Sequence, residues 1–300
     1  MERYINPYTD YGFKKLFGVD ENKELLISFL NAMIYDEDGI ITDVTYNNIE
    51  QLGDNKDRRN CYFDVYCYTK EGGRFIVEMQ NARQTYFKDR SLFYAAKPIR
   101  DQAEKDEDWN FRLDDVYMVG VMNFKFPHGE YPEDSYYHVV KLVDVVDNHV
   151  FYEKLTLIYL EMPKLKQFNW SPVTFRDKWL YALHNLCYTD EYPEILREGI
   201  FKRLYEAARL ANLSDAQLLT YERSQKAMWD RNNERNTARE EGREEGLEEG
   251  RAEGRAEGRA EGRVEGALEL ARKMKDEGMS LETVCRLTGF TEEEIFSKEK

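Results

Sequence analysis

Asp64 and Glu78 are the residues whose type and spacing could do chemistry. Each sits in a β-rich run, residues 62–68 and 74–80, where a strand prefers apolar or aromatic side chains. A Gly72-Gly73 turn separates the runs, and such a pattern reads as a hairpin. The two acids lie nearly equidistant from Glu71. In an antiparallel pair they are opposite or diagonal neighbours, with Cβ atoms roughly 5–8 Å apart. Gln80 follows Glu78 by two residues and shares its face. Facing like charges destabilise a sheet unless a cation lies between them. Mg2+ or Mn2+ takes hard oxygen ligands and activates water for phosphodiester hydrolysis. Asp64 and Glu78 can supply those ligands, and the Met79 carbonyl is a further candidate. Gln80 could orient the water or a phosphate oxygen, but an amide does not titrate and is no charged base. The competing interpretation is structural: both acids face solvent and Gln80 merely ends its strand.

The elements around the hairpin must position these groups. Phe13, Leu16 and Phe17 have helical spacing, and Gly18 can close that helix. Asp20 or Asn22 can cap a second helix that gathers Leu25, Leu26, Phe29, Leu30 and Met33 on one face. Residues 40–51 predict a first strand and 52–60 a polar loop. Residues 82–104 predict a helix with a basic side, where Arg83, Arg90, Tyr94 and Lys97 recur at spacings of seven, four and three. This helix leaves directly from the acidic hairpin, so its cations can flank the carboxylates. The apolar run 116–124 has the mark of a strand buried on both faces. Further strands are expected at 136–146 and 155–161. Helices and strands interleave, so the class is α/β with a central mixed sheet.

Beyond Pro163 the pattern is helical, with helices expected at 175–186, 193–211 and 215–233. Trp170, Phe175, Trp179, Tyr181, Tyr205 and Trp229 could stack on nucleic acid, but helical spacing favours core packing. From Gly242 to Gly266 a glycine recurs every fourth residue, always preceded by Glu and usually followed by Arg. Seven glycines cost a lone helix roughly 1 kcal/mol each relative to Ala, and its i,i+4 neighbours are mostly like-charged. Two outcomes compete over 239–267: self-association of helices through the glycine stripe, giving a homo-oligomer, or a loosely helical or disordered linker. Ser280, Gly289 and the pair Thr291 and Glu294 mark two short terminal helices. They resemble half of a helix-turn-helix, but their surplus of Glu favours a small packing module over a DNA reader. The domains expected are a core over 1–165, a helical appendage over 166–238, the tetrad repeat over 239–267 and a helical module over 268–300.

Composition narrows the function. A net charge of −15 argues against a general polyanion binder, yet an acidic metal site with a local basic patch remains compatible with DNA. Cys61, Cys67, Cys187 and Cys285 form no C-x-x-C pair, so free thiols in a reducing cytoplasm are expected. The four His show no ligand spacing. There is no Gly-rich phosphate loop and no G-x-S-x-G elbow. The first residues do not read as a signal peptide, and no apolar run approaches the ~20 residues of a membrane span.

Several stretches together resemble the bacterial recombination-promoting nucleases, nuclease-family transposases of the PD-(D/E)XK superfamily. They are Thr9-Asp10-Tyr11-Gly12-Phe13-Lys14-Lys15-Leu16-Phe17-Gly18, Glu50-Gln51-Leu52-Gly53, Phe63-Asp64-Val65-Tyr66-Cys67 and Phe75-Ile76-Val77-Glu78-Met79-Gln80. Phe87-Lys88-Asp89-Arg90-Ser91, Leu157-Ile158-Tyr159-Leu160-Glu161-Met162-Pro163, Asp177-Lys178-Trp179-Leu180 and the Gly-Arg/Glu tail extend the likeness. The resemblance implies a restriction-endonuclease-like mixed sheet flanked by helices, followed by a helical C-terminal region. It implies a metal-dependent endonuclease acting on double-stranded DNA in the cytoplasm, in recombination or mobile elements, with Mg2+ or Mn2+ held by Asp64 and Glu78. The Lys of the superfamily's E-x-K falls on Gln80, which removes a cation beside the attacking water. Asp10 is the matching acid from the first helix, although a helix cap explains it equally. Arg90 and Tyr94 are the candidates for phosphate contact or support of the site. A nuclease-like fold that has lost catalysis and acts as a DNA-binding or assembly protein is the alternative. Strand transfer as a true transposase finds no support in the residues.

Overall fold

A computed structural model describes residues 4–47, 64–103, 110–167, 172–186, 188, 193–197 and 199–296. Residues 62–63 of the hairpin, the motif at 50–53, Cys61, Cys187 and Trp170 lie outside the described residues.

Six strands form one sheet in the order β1-β2-β3-β4-β6-β5. They are β1 (Thr45–Tyr46), β2 (Val65–Tyr68), β3 (Arg74–Gln80), β4 (Val116–Met122), β5 (Tyr137–Asp144) and β6 (His149–Glu161). The expected hairpin forms: β2 and β3 pair antiparallel in the register Val65↔Val77 to Tyr68↔Arg74. Gly72 turns it at φ 98°, a left-handed conformation suited to glycine. The sheet is mixed, because β3–β4 and β4–β6 are parallel while the β5–β6 hairpin is antiparallel. The strand expected over 40–51 is much shorter among the described residues, since only Thr45 and Tyr46 join the ladder.

Two apolar layers sandwich the sheet. On one face pack α1 (Asp10–Phe17), α2 (Lys23–Tyr35), α4 (Phe175–Asn185) and α5 (Gly199–Ala208). Phe13, Phe17, Phe29, Trp179, Leu204 and Tyr205 share a single buried cluster with Val77, Val119 and Ile158 of the strands. The Trp179 indole N–H donates to Ser28 Oγ at 3.1 Å, which satisfies its one polar atom inside the core. Most of the expected aromatics of this region therefore pack inward, while Trp229 stands exposed. The other face carries α3 (Phe87–Arg100), shorter than the helix expected from Ala82 because residues 82–84 are irregular and 85–86 form a turn before it. Phe87 and Ala95 of α3 pack with Tyr66, Ile76, Met118 and Tyr159.

Residues 1–230 form one compact unit and 231–300 a second. The helix expected to end near 233 continues as α6 (Asp215–Asp276) through the whole tetrad repeat. A Cβ added at any of Gly242 to Gly266 would meet nothing within 4 Å. In the second unit, α7 (Leu281–Thr288) and α8 (Glu292–Phe296) bury Val284 and Ile295 against Ala271. The capping signals hold: Ser280 accepts from the Thr283 amide, Gly289 ends α7 at φ 78°, and Glu294 accepts from the Thr291 amide at 2.7 Å.

Candidate active site

The β2–β3 register, extended by one residue from Val65↔Val77, sets Asp64 directly opposite Glu78. Glu78 in turn pairs with Gly120 of β4, and Gly120 with Tyr159 of β6. Ile76 and Tyr66 bracket the acids on the α3 face, so both carboxylates belong to that side. Gly120 keeps this row low. A Cβ there would come within 3.2 Å of the Tyr159 ring and 3.3 Å of Phe87.

Glu78 is 3% exposed and Asp64 half-buried, which rules out the interpretation of both as solvent-facing strand residues. Asp64 Oδ2 accepts the Met79 amide at 2.8 Å, so β3 itself holds that side chain. Glu78 Oε2 meets Arg90 Nη2 at 3.5 Å, while its Oε1 is buried with no hydrogen-bond partner among the described residues. Desolvation, then the charge of Asp64, push the Glu78 carboxyl up to about 8, against the pull of Arg90. Desolvation likewise raises Asp64, although the Met79 amide and Lys14 oppose it. Two facing carboxylates, both made hard to ionise, with one oxygen orphaned, are a donor set that fits a hard divalent cation.

Arg90 is braced on three sides. Besides Glu78, its Nη1 donates to Gln84 Oε1 at 3.2 Å, and its guanidinium lies 4.8 Å from the Tyr94 ring centroid. Tyr94 thus supports Arg90 through its face. Gln80 shares the face of Glu78, and its Nε2 donates to the Ala82 carbonyl at 3.2 Å. Asp10 is not the cap of α1; Thr9 fills that role by accepting from the Gly12 amide. Asp10 instead pairs with Lys14 Nζ at 2.9 Å. Burial lowers the Lys14 pKa, but Asp10, Asp64 and Glu78 outweigh it and the net shift is upward. The first helix therefore brings an acid and a base within electrostatic reach of the hairpin carboxylates. Lys14 and Gln84 were not singled out from the sequence; Lys14 stands four residues after Asp10, the spacing of a helical ion pair.

A second polar cluster lies two strands away on the same face. Glu161 Oε1 accepts from Lys164 Nζ at 2.7 Å and lies 2.7 Å from His138 Nε2, and its Oε2 accepts the Phe126 amide at 2.7 Å. Lys164 also donates to the Pro132 and Ser135 carbonyls. All three side chains are buried. His138 had no ligand spacing in the sequence, and the fold gives it a role by pairing β5 with β6. A third group, Asp144, Asp147 and His149, gathers its ligand atoms within 4.8 Å at the exposed β5–β6 turn. His149 lies ten residues before Tyr159 along β6, about 33 Å of strand, so this group is separate from Asp64 and Glu78.

A mixed sheet flanked by helices, with an acid on each strand of its hairpin and E-x-Q closing the second, defines a nuclease-like class. Residues 7–238 match the family model of the PD-(D/E)XK nuclease family transposase, and the chain belongs to that family. Residues 264–296 match the family model of the C-terminal HTH domain of the Rpn/YhgA-like nuclease family, the likeness that the two short terminal helices suggested. No curated protein and no solved structure matches the chain. Among the described residues no helix is long and apolar enough to cross a membrane.

Proposed function

We propose that this chain is a metal-dependent endonuclease that cleaves phosphodiester bonds in double-stranded DNA, in the cytoplasm, in recombination or the movement of mobile elements. The observation that carries this is the facing pair Asp64 and Glu78, with Glu78 buried and its Oε1 without a donor among the described residues. Asp64 and Glu78 would hold Mg2+ or Mn2+, and Asp10 is the additional candidate ligand. When bound, the ion supplies Lewis-acid polarisation of the phosphate and lowers the pKa of water. Around it, the Met79 amide fixes Asp64, and Arg90 offers a guanidinium that can leave Glu78 for a phosphate oxygen. Gln80 orients water or substrate by hydrogen bonding. The helix-turn-helix domain adds a second DNA contact, and helices of the tetrad repeat 239–267 associate between copies through their open glycine stripe. A monomer by light scattering with the tail present, unchanged on deleting the tail, would remove the association.

The test is nicking of supercoiled plasmid in Mg2+. Wild type is expected to nick and Asp64→Ala to be inert; equal nicking by both would sink the proposal. Gln80 supports a second reading, a nuclease-like DNA-binding protein without catalysis, because its amide is spent on the Ala82 carbonyl and supplies no cation. Mn2+ titration by calorimetry separates the two, since DNA binding without metal binding favours the second.

A further inference from the structure

One side of α3, with its N-cap residue, carries a track that the core does not use and that meets the candidate metal site only at Arg90. Tyr86, Arg90, Phe93, Lys97 and Arg100 follow one another at spacings of four, three, four and three. Arg90, Phe93, Lys97 and Arg100 form a single stripe on α3, and Tyr86 is the N-cap residue four positions before Arg90. Tyr86 is 74% exposed and Phe93 56% exposed, although neighbouring Phe87 and Ala95 are buried. Large rings left in water at helical spacing, alternating with cations, call for a ligand rather than a core. Arg90 fixes where the track runs, because it touches Glu78. The stripe therefore passes the candidate metal site. Its charge is also local: α3 contains Lys88, Arg90, Lys97 and Arg100 against Asp89, in a chain of net charge −15, with Lys88 paired to Glu130 and Lys97 to Asp101 at the helix end.

We infer that this face of α3 binds an unpaired DNA strand, so that the preferred substrate is a duplex with a single-stranded branch beside the cut, such as a fork or flap. Exposed rings are useful to nucleic acid only when bases are unstacked, because an intact duplex presents phosphates and base edges. Tyr86 and Phe93 supply stacking faces, while Arg90, Lys97 and Arg100 follow the phosphates. The inference rests on the endonuclease reading for its purpose, but its recognition step needs no cleavage.

The experiment measures fluorescence anisotropy of the full chain in EDTA, with a labelled fork and a fully paired duplex of equal length. Wild type is expected to bind the fork at least tenfold more tightly. Tyr86→Ala with Phe93→Ala should lose about tenfold or more on the fork, with duplex affinity, thermal midpoint and Mn2+ binding unchanged. Tyr86→Phe with Phe93→Tyr should restore fork binding. Equal wild-type affinity for both DNAs, or a fork preference that survives the double alanine variant, overturns the inference. Fork preference in a protein that nicks nothing would leave the track standing and remove the nuclease reading instead.

Discussion

Arg90 approaches Glu78 through one carboxylate oxygen only: Nη2 lies 3.5 Å from Oε2, and Oε1 stays buried without a donor among the described residues. The site is half neutralised by its own chain. A cation of the fold takes one oxygen, and the other has no partner among the described residues. This arrangement costs stability in the metal-free protein, as functional sites commonly do.

That cost has a pH signature. Burial, then Asp64, raise the Glu78 carboxyl from 4.5 to about 8. A carboxyl raised on folding holds its proton more tightly in the native state. Its contribution is therefore present in full below pH 4.5 and is lost as pH climbs through about 8. Thermal melts of metal-free protein are expected to show a falling midpoint across that window. Glu78→Gln has no proton to release there, and should flatten the slope.

Metal should act in the opposite direction. Binding requires both carboxylates ionised, so Mn2+ affinity should rise with pH and binding should release protons, which calorimetry in buffers of different ionisation enthalpy detects. At one hundred times Kd the ion stabilises by about 2.7 kcal/mol. Asp64→Asn should melt at or above the wild-type midpoint without metal and gain nothing when Mn2+ is added. A full metal-induced shift in that variant would exclude Asp64 as a ligand.

The His138–Glu161–Lys164 cluster should behave as a fastener. Glu161→Ala strips a common acceptor from two buried side chains and from the Phe126 amide. Removing one partner of a buried ion pair costs about 3–5 kcal/mol. The expected result is a lower denaturant midpoint with faster hydrogen exchange at Phe126. An unchanged midpoint would show the cluster to be dispensable.

Cutting the chain after residue 165 should abolish folding. Trp179, Leu204 and Tyr205 lie fully buried in the cluster that holds Phe13, Phe29 and Val77, and losing a single such side chain costs about 3–5 kcal/mol. Circular dichroism of the 1–165 fragment tests this; a cooperative melt would contradict it.

Much of this was legible in the sequence. Asp64 and Glu78 announced themselves as acids in strands, and Phe13, Leu16, Phe29 and Met33 announced helical faces by their spacing. The partners of those acids were less visible. Lys14 precedes Asp64 by fifty residues, and only the packing of α1 brings its charge to bear on the hairpin. The Glu161 cluster was hidden because its members come from β5, the end of β6 and the turn after it. In the tetrad repeat the sequence left a helix and a linker open, because glycine and like charges argue against a lone helix locally, and α6 continues through them. Single-residue propensities are a weak prior and do not fix where a helix ends.

Gly120 sets a clearance. Its missing methyl lets Phe87 rest near the strand beside Glu78, and Phe87 opens the helix from which Arg90 extends three residues later. Alanine there would require Phe87 or Tyr159 to give way by a few tenths of an ångström. Reach between a cation and a carboxylate is thus governed by an atom that is absent, on a strand that contributes no polar side chain to the site. Mutational tolerance at position 120 should accordingly track the needs of the carboxylates rather than those of the core.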